Sequence, residues 1–262
     1  MIAILLCAGY ATRMLPITKD FPKPLLPVAG KPVLDYLMAQ LLEFKDLDRI
    51  HIITNDRFAG HFEDWRKKWD ATLLPEGVQL IIHNDGSAEN ENRLGASGDL
   101  AWLFNRLPQF DVDRMLVSAG DNIFRFPLKP LWNLFVKSDF HYILGLPEIN
   151  KEKLKRTGII EFGIDDRAIR LHEKPANPPS NWSCPATYFF QASVVPILQA
   201  FVETSENQDA PGYFVDYLCQ KSHVKAFKLD ASRLDIGSIE DYHKADRLLR
   251  SEPVIRLKQG GF

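Results

Sequence analysis

Short apolar runs separated by helix-length stretches constrain this chain more than any other feature of its sequence. Residues 2–7 (IAILLC), 49–54 (RIHIIT), 78–83 (VQLIIH) and 113–119 (DRMLVSA) have the length and aliphatic content of buried strands. Stretches 32–44, 58–69 and 97–105 between them read as helices. This alternation predicts βαβ units and a mostly parallel sheet covered on both faces, a Rossmann-like three-layer α/β sandwich. After residue 127 the pattern changes. A helix at 128–138 and a strand at 142–146 precede a polar connector at 150–156. Short strands at 158–162 and 168–171 follow, joined by Gly163-Ile164-Asp165-Asp166, which reads as a hairpin turn. A Pro- and Asn-rich loop at 176–181 leads to a strand at 187–191. Then come a helical stretch at 213–218, a strand at 223–229 and a helix at 239–250. The expectation is one domain over 1–250, with a first half at 1–126 and a smaller mixed lobe at 127–250, and a loosely held tail at 251–262.

The first run breaks into a loop of mostly small residues, Ala8, Gly9, Tyr10, Ala11 and Thr12, whose backbone N–H groups can lie open to an anion. Arg13 and Lys23 follow among Pro16, Pro22, Pro24 and Pro27, and Pro32 suits the first position of a helix. Arg offers phosphate a planar fork of donors and Lys a point charge, while the prolines hold both at low entropic cost. This is an NTP-handling loop in form. It is neither a G-x-G-x-x-G nor a Walker P-loop, since neither pattern occurs.

Further along, Asn84 ends a strand and can both donate to and accept from a base edge. Gly95 and Gly98 allow close backbone approach where a helix starts. Asp121 follows a central strand, where open α/β sheets bind ligands, and offers the hard oxygen that Mg²⁺ takes. By residue type alone Asp121 reads better as a turn cap and Glu173-Lys174 as an exposed ion pair, while Asp235 also suits the start of a helix, though Ser238 is the better cap.

A-G-Y-A-T-R-M-L-P-I-T followed by F-P-K-P-L-L-P-V-A-G-K-P resembles the signature of the sugar-1-phosphate nucleotidyltransferases, which include glucose-1-phosphate thymidylyltransferases and bacterial UDP-glucose pyrophosphorylases. Gly120-Asp121-Asn122, Glu173-Lys174-Pro175 and Leu234-Asp235-Ile236-Gly237-Ser238 resemble its later motifs, in the right order. The resemblance implies that Arg13 and Lys23 are catalytic and that Ala8–Thr12, Asn84 and Gly95 bind the nucleotide. It also implies that Asp121 and Asp235 hold Mg²⁺, that Glu173 takes sugar hydroxyls and that Lys174 meets the sugar phosphate, making the second half a sugar-binding lobe. The implied reaction joins an NTP to a sugar 1-phosphate, with glucose 1-phosphate and dTTP or UTP the first expectation. Phosphocholine or another phospho-alcohol with a cytidylyl donor is an alternative acceptor, and a non-catalytic nucleotide-sugar sensor on the same fold is a rival. A metal-dependent glycosyltransferase fits less well, because Gly120-Asp121-Asn122 lacks a second Asp. The sequence departs from the family twice: Ala11 stands where Gly is usual, and Arg233 where an aromatic residue is usual.

Composition narrows the partners. A net charge of −2 leaves no basic footprint for nucleic acid. No apolar run approaches a membrane span, and the start lacks a signal peptide's charged region and cleavage site, so a cytoplasmic enzyme is expected. Cys7, Cys184 and Cys219 are odd in number and widely spaced, which suits small core residues. The seven histidines show no metal-ligand spacing. Trp65 and Trp69 are four apart and share a helix face directed at a core. A homo-oligomer is compatible with all of this.

Overall fold

The computed structural model describes residues 1–108, 112–205 and 207–251. Of the expected tail at 251–262, residues 252–262 lie outside the described part. The first half runs through β1 (Ile2–Leu6), a small hairpin of β2 (Pro27–Val28) and β3 (Lys31–Pro32), α1 (Val33–Leu41), β4 (Arg49–Thr54), α2 (Ala59–Thr72), β5 (Gln79–Asn84), α3 (Gly95–Phe104), β6 (Arg114–Ala119) and β7 (Asn122–Phe124). The second comprises α4 (Lys129–Phe135), β8 (His141–Pro147), α5 (Lys151–Leu154), β9 (Gly158–Phe162), β10 (Ala168–Glu173), β11 (Trp182–Cys184), β12 (Thr187–Gln191), α6 (Val194–Thr204), α7 (Pro211–Lys221), β13 (Val224–Lys228), β14 (Arg233–Asp235) and α8 (Ile239–Ser251).

One ten-stranded sheet organises both halves, in the order β10-β9-β11-β8-β12-β6-β1-β4-β5, with β13 beside β8. Strands β6, β1, β4 and β5 are mutually parallel, β1 lying between β6 and β4 with Ile2 opposite both Met115 and Arg49. Beyond β6 the sheet is mixed, beginning with the antiparallel β12. The mostly parallel core and the mixed lobe are therefore parts of one continuous sheet.

The period-two alternation of β1 accounts for the three layers. Ala3 and Leu5 face a core closed by Leu34 and Leu37 of α1 and by Phe62, Trp65 and Trp69 of α2. Ile2 and Ile4 face the opposite core, with Leu100 and Leu103 of α3 and Phe214 of α7. Both Trp Nε1 groups donate to Asp35 Oδ1, at 2.7 Å from Trp65 and 3.1 Å from Trp69. The tryptophans are buried core residues, as their spacing indicated.

Local readings shift where the chain pairs with something distant. Pro32 caps α1 with an extended ψ of 141° instead of starting the helix, because it also closes the β2–β3 hairpin. Strand β11, helix α6 and the ribbon formed by β7 and β14 were not read from sequence; the three short strands carry too few residues to show a period. All three cysteines are buried and free. No helix among the described residues is long and apolar enough to cross a membrane.

Candidate active site

Because β1 is central, the loop that leaves it emerges at the carboxyl ends of the parallel strands, where open α/β sheets receive ligands. The loop is anchored from below. Cys7 N donates to Ile53 O at 2.8 Å, and the buried Asn55 Nδ2 donates to Ala8 O at 2.8 Å. Ala11 adopts the left-handed conformation (φ 48°, ψ 43°) and its carbonyl accepts from Met14 N and from the Thr18 hydroxyl, both at 2.9 Å. The position does need φ > 0, so Ala there costs about 1 kcal/mol relative to Gly. Ala8, Gly9, Tyr10, Ala11, Thr12 and Arg13 line a cavity of about 380 Å³. Lys23, Gly95 and Asp121 line the same cavity.

Two carboxylates are placed by the β7–β14 ribbon, in which Asp235 pairs with Asn122, the residue next to Asp121. Each already faces a cation. Lys23 Nζ donates to Asp121 Oδ2 at 2.5 Å, and Arg233 Nη1 lies 3.4 Å from Asp235 Oδ1 while also donating to Asn122 Oδ1. Burial alone would raise the Asp121 pKa; the charge and hydrogen bond of Lys23, with the charge of Arg233, outweigh it and hold the carboxyl below its usual range. The cations meet one oxygen of each carboxylate, Oδ2 of Asp121 and Oδ1 of Asp235. No cluster of three or more His, Cys, Asp or Glu suited to a metal forms among the described residues. Asp121 and Asp235 offer the hard carboxylate oxygens that Mg²⁺ takes, and each lines a different one of two neighbouring cavities.

Gly95 has φ +75°, and a Cβ there would lie 2.6 Å from Gln208 O and 2.7 Å from Asp209 Cα. The next two N–H groups of α3 donate to the same segment, Ala96 N to Asp209 O and Ser97 N to Gln208 O, both at 3.1 Å. Glycine is needed here for the chain's own packing.

Three expected site residues stand elsewhere. Asn84 does not line the cavity: its side chain is exposed, donates to Asp56 Oδ1 at 2.8 Å and accepts from Gly86 N at 2.9 Å. The reason is topological. β5 is the edge strand, separated from β1 by β4, and its end closes a local turn. Glu173 is half-buried in a slot beside Gly212 and Gly158, where a Cβ on Gly212 would come within 2.1 Å of its Oε2. Burial raises its pKa, partly offset by Lys174. Lys174 is exposed, with Nζ 3.5 Å from Glu173 Oε1. Neither lines the cavity at the strand ends or its neighbour.

Sequence reasoning missed Arg93 and Asp99 on the cavity wall. Arg93 Nε donates to Asp209 Oδ1 at 2.8 Å, tying α3's approach to the loop before α7. Asp99, four residues after Gly95 and so on the same helix face, is 5% exposed and its Oδ1 meets no donor. Burial, then the charge of Asp85, pushes its pKa up to about 8. A carboxylate directly abutting the apolar run Leu100–Phe104 was the visible signal.

A second cavity of about 530 Å³ shares Arg13 with the first and is lined also by Arg233 and Asp235. Arg13 and the ribbon thus stand between two spaces, one large enough for a nucleotide and one for a second small molecule.

The sequence profile of the nucleotidyl transferase family matches residues 2–252. The bifunctional protein GlmU of Methanocaldococcus jannaschii is 24% identical over 252 residues, covering 95% of this chain and 54% of its own length. The chain therefore spans about half of that relative. The glucose-1-phosphate thymidylyltransferase of Mycobacterium tuberculosis is 28% identical over 213 residues, covering 79% of this chain and 67% of the relative. Among solved structures, UDP-glucose pyrophosphorylase complexed with UDP-glucose superposes with a TM-score of 0.78 at 21% identity, over 95% of this chain and 97% of that one. That likeness shows the shared fold, and the family profile covers nearly the whole chain: it belongs to the nucleotidyl transferase family.

Proposed function

We propose that this chain joins an NTP and a sugar 1-phosphate to give an NDP-sugar and pyrophosphate. The observation that carries this reading is the convergence of Arg13, Lys23 and Asp121 on one cavity at the strand ends, with Asp235 across the ribbon. In the reaction, an acceptor phosphate oxygen attacks the NTP α-phosphorus, and the bond to the β-phosphate breaks with its electron pair leaving on pyrophosphate. Phosphate monoester oxygens are ionised at neutral pH, so no strong base is required. Catalysis rests on positioning and charge neutralisation.

In this scheme the loop from Ala8 to Thr12 cradles phosphates, Arg13 neutralises the departing pyrophosphate, and Lys23 turns from Asp121 toward charge building at the α-phosphate. Asp121 and Asp235 would hold Mg²⁺, which when bound supplies Lewis-acid neutralisation of the phosphates. Gly95, with its neighbours on α3, forms the base end of the cavity. Asn84, Glu173 and Lys174 have to reorient to touch a substrate, and their assignment to base and acceptor follows the resemblance alone. Glucose 1-phosphate with dTTP or UTP is the first pairing to try.

The test is pyrophosphate release with Mg²⁺ across dTTP, UTP, CTP, ATP and GTP against glucose, mannose and N-acetylglucosamine 1-phosphates, with phosphocholine included. Release with a single pair supports the reaction class. Silence in every cell, with an NTP or NDP-sugar still raising the melting temperature, favours a nucleotide-sugar sensor instead.

A further inference from the structure

The second cavity carries more positive charge than a neutral sugar needs. Its cations come from four separate places: Arg13 on the loop after β1, Lys153 on α5, Arg156 just before β9 and Arg233 on β14. Three carboxylates also face it, leaving one positive charge in excess, and only Asp235 is paired with a cation. Asp235 lies 3.4 Å from Arg233, Glu148 Oε1 accepts from Asn150 N at 2.8 Å, and Asp241 Oδ2 accepts from the Ser238 hydroxyl at 2.7 Å. Arg13, Lys153 and Arg156 have no ion-pair partner among the described residues. No aromatic ring lines the cavity, so it has no cage for a quaternary ammonium, and its free cations repel one.

The two cavities share Arg13, so an acceptor body in the second cavity has its reacting phosphate directed at that boundary. Lys153 and Arg156 then face whatever the acceptor carries at its far end. Arg offers a carboxylate or phosphate a two-point fork, and Lys adds a point charge. We propose that the second cavity holds the body of the acceptor, and that the preferred acceptor is a sugar phosphate bearing a second acidic group received by Lys153 and Arg156. This rests on the transfer reaction proposed above and names its acceptor class.

The test compares glucose 1-phosphate, glucuronic acid 1-phosphate, glucose 1,6-bisphosphate and phosphocholine as acceptors, in wild type and in the Lys153→Gln/Arg156→Gln double variant. The expected result is a kcat/KM for the acidic acceptors about tenfold or more above that for glucose 1-phosphate, as two charge-assisted contacts permit. The double variant loses that margin through a raised KM for the acidic acceptors and keeps its KM for the NTP. Higher salt shrinks the margin in wild type only. A preference for glucose 1-phosphate or phosphocholine, or a margin that survives in the double variant, overturns the proposal. Calorimetric titration of glucose 1,6-bisphosphate without NTP separates the two readings. Binding that the double variant loses supports the subsite even if transfer is silent with every acceptor, and no binding to wild type overturns it.

Discussion

Lys23 Nζ lies 2.5 Å from Asp121 Oδ2, joining two residues 98 positions apart that the resemblance assigns to transition-state neutralisation and metal binding. The two charges neutralise each other at the wall of the cavity that both residues line. Their side chains are 13% and 28% exposed, so the pair is only partly screened by water.

Removing the lysine leaves a half-buried carboxylate beside fewer cations. Lys23→Ala is expected to destabilise the fold by about 1–3 kcal/mol, below the cost of breaking a fully buried pair because solvent reaches the site. It should also lower turnover by orders of magnitude. Denaturant unfolding and pyrophosphate release measure the two effects, and unchanged stability would show that the pair contributes nothing to the resting structure.

Arg13 is exposed and touches no carboxylate among the described residues, so its loss costs the fold little. Arg13→Ala should stay within about 0.5 kcal/mol of wild-type stability. Its kcat should fall about 10²–10³-fold, the scale of losing one transition-state donor. Near-wild-type turnover would remove it from the site.

Two glycines of the same cavity separate structural from ligand-facing roles. Gly95→Ala should cost about 2 kcal/mol or more, since it combines a left-handed φ with a Cβ driven into Gln208 and Asp209. Gly9 has open space within 4 Å, so Gly9→Ala should barely shift the melting temperature. If Gly9 sits under the phosphates, the same change raises KM for the NTP. Equal destabilisation by both changes would contradict the structure.

Asp99 makes stability depend on pH in a specific direction. Below about pH 4 the carboxyl is protonated in both the folded and unfolded chain. As pH rises toward its folded pKa of about 8, the unfolded chain releases the proton that the folded chain retains, so stability falls across that interval. Asp99→Asn removes this penalty and offers a donor to Asp85 Oδ2, which has none. The melting temperature should therefore rise more at pH 8 than at pH 5. A gain that is constant with pH, or larger in acid, would show that Asp99 ionises normally.

Sequence alone determined whatever repeats locally or lies within a few residues. The strands at 2–7, 49–54 and 187–191 are visible because a buried strand needs an unbroken aliphatic or aromatic run. The motif loop from Ala8 to Lys23 is visible because its small residues, cations and prolines are contiguous. Tertiary structure alone decided what depends on pairings between distant segments. The β7–β14 ribbon that sets Asp235 opposite Asn122, the residue after Asp121, is three residues on each side, too short for any periodic signal. Asn84 looked like a base reader until its strand proved to be the sheet edge, and Glu173 looked exposed until Gly158 and Gly212 closed around it. Arg233, a departure from the family pattern in the sequence, acquires a partner and a cavity only when its strand folds back against β7. Local physics writes strands, helices and loops into neighbouring residues, whereas charge pairing and burial belong to side chains that meet only after the sheet has formed.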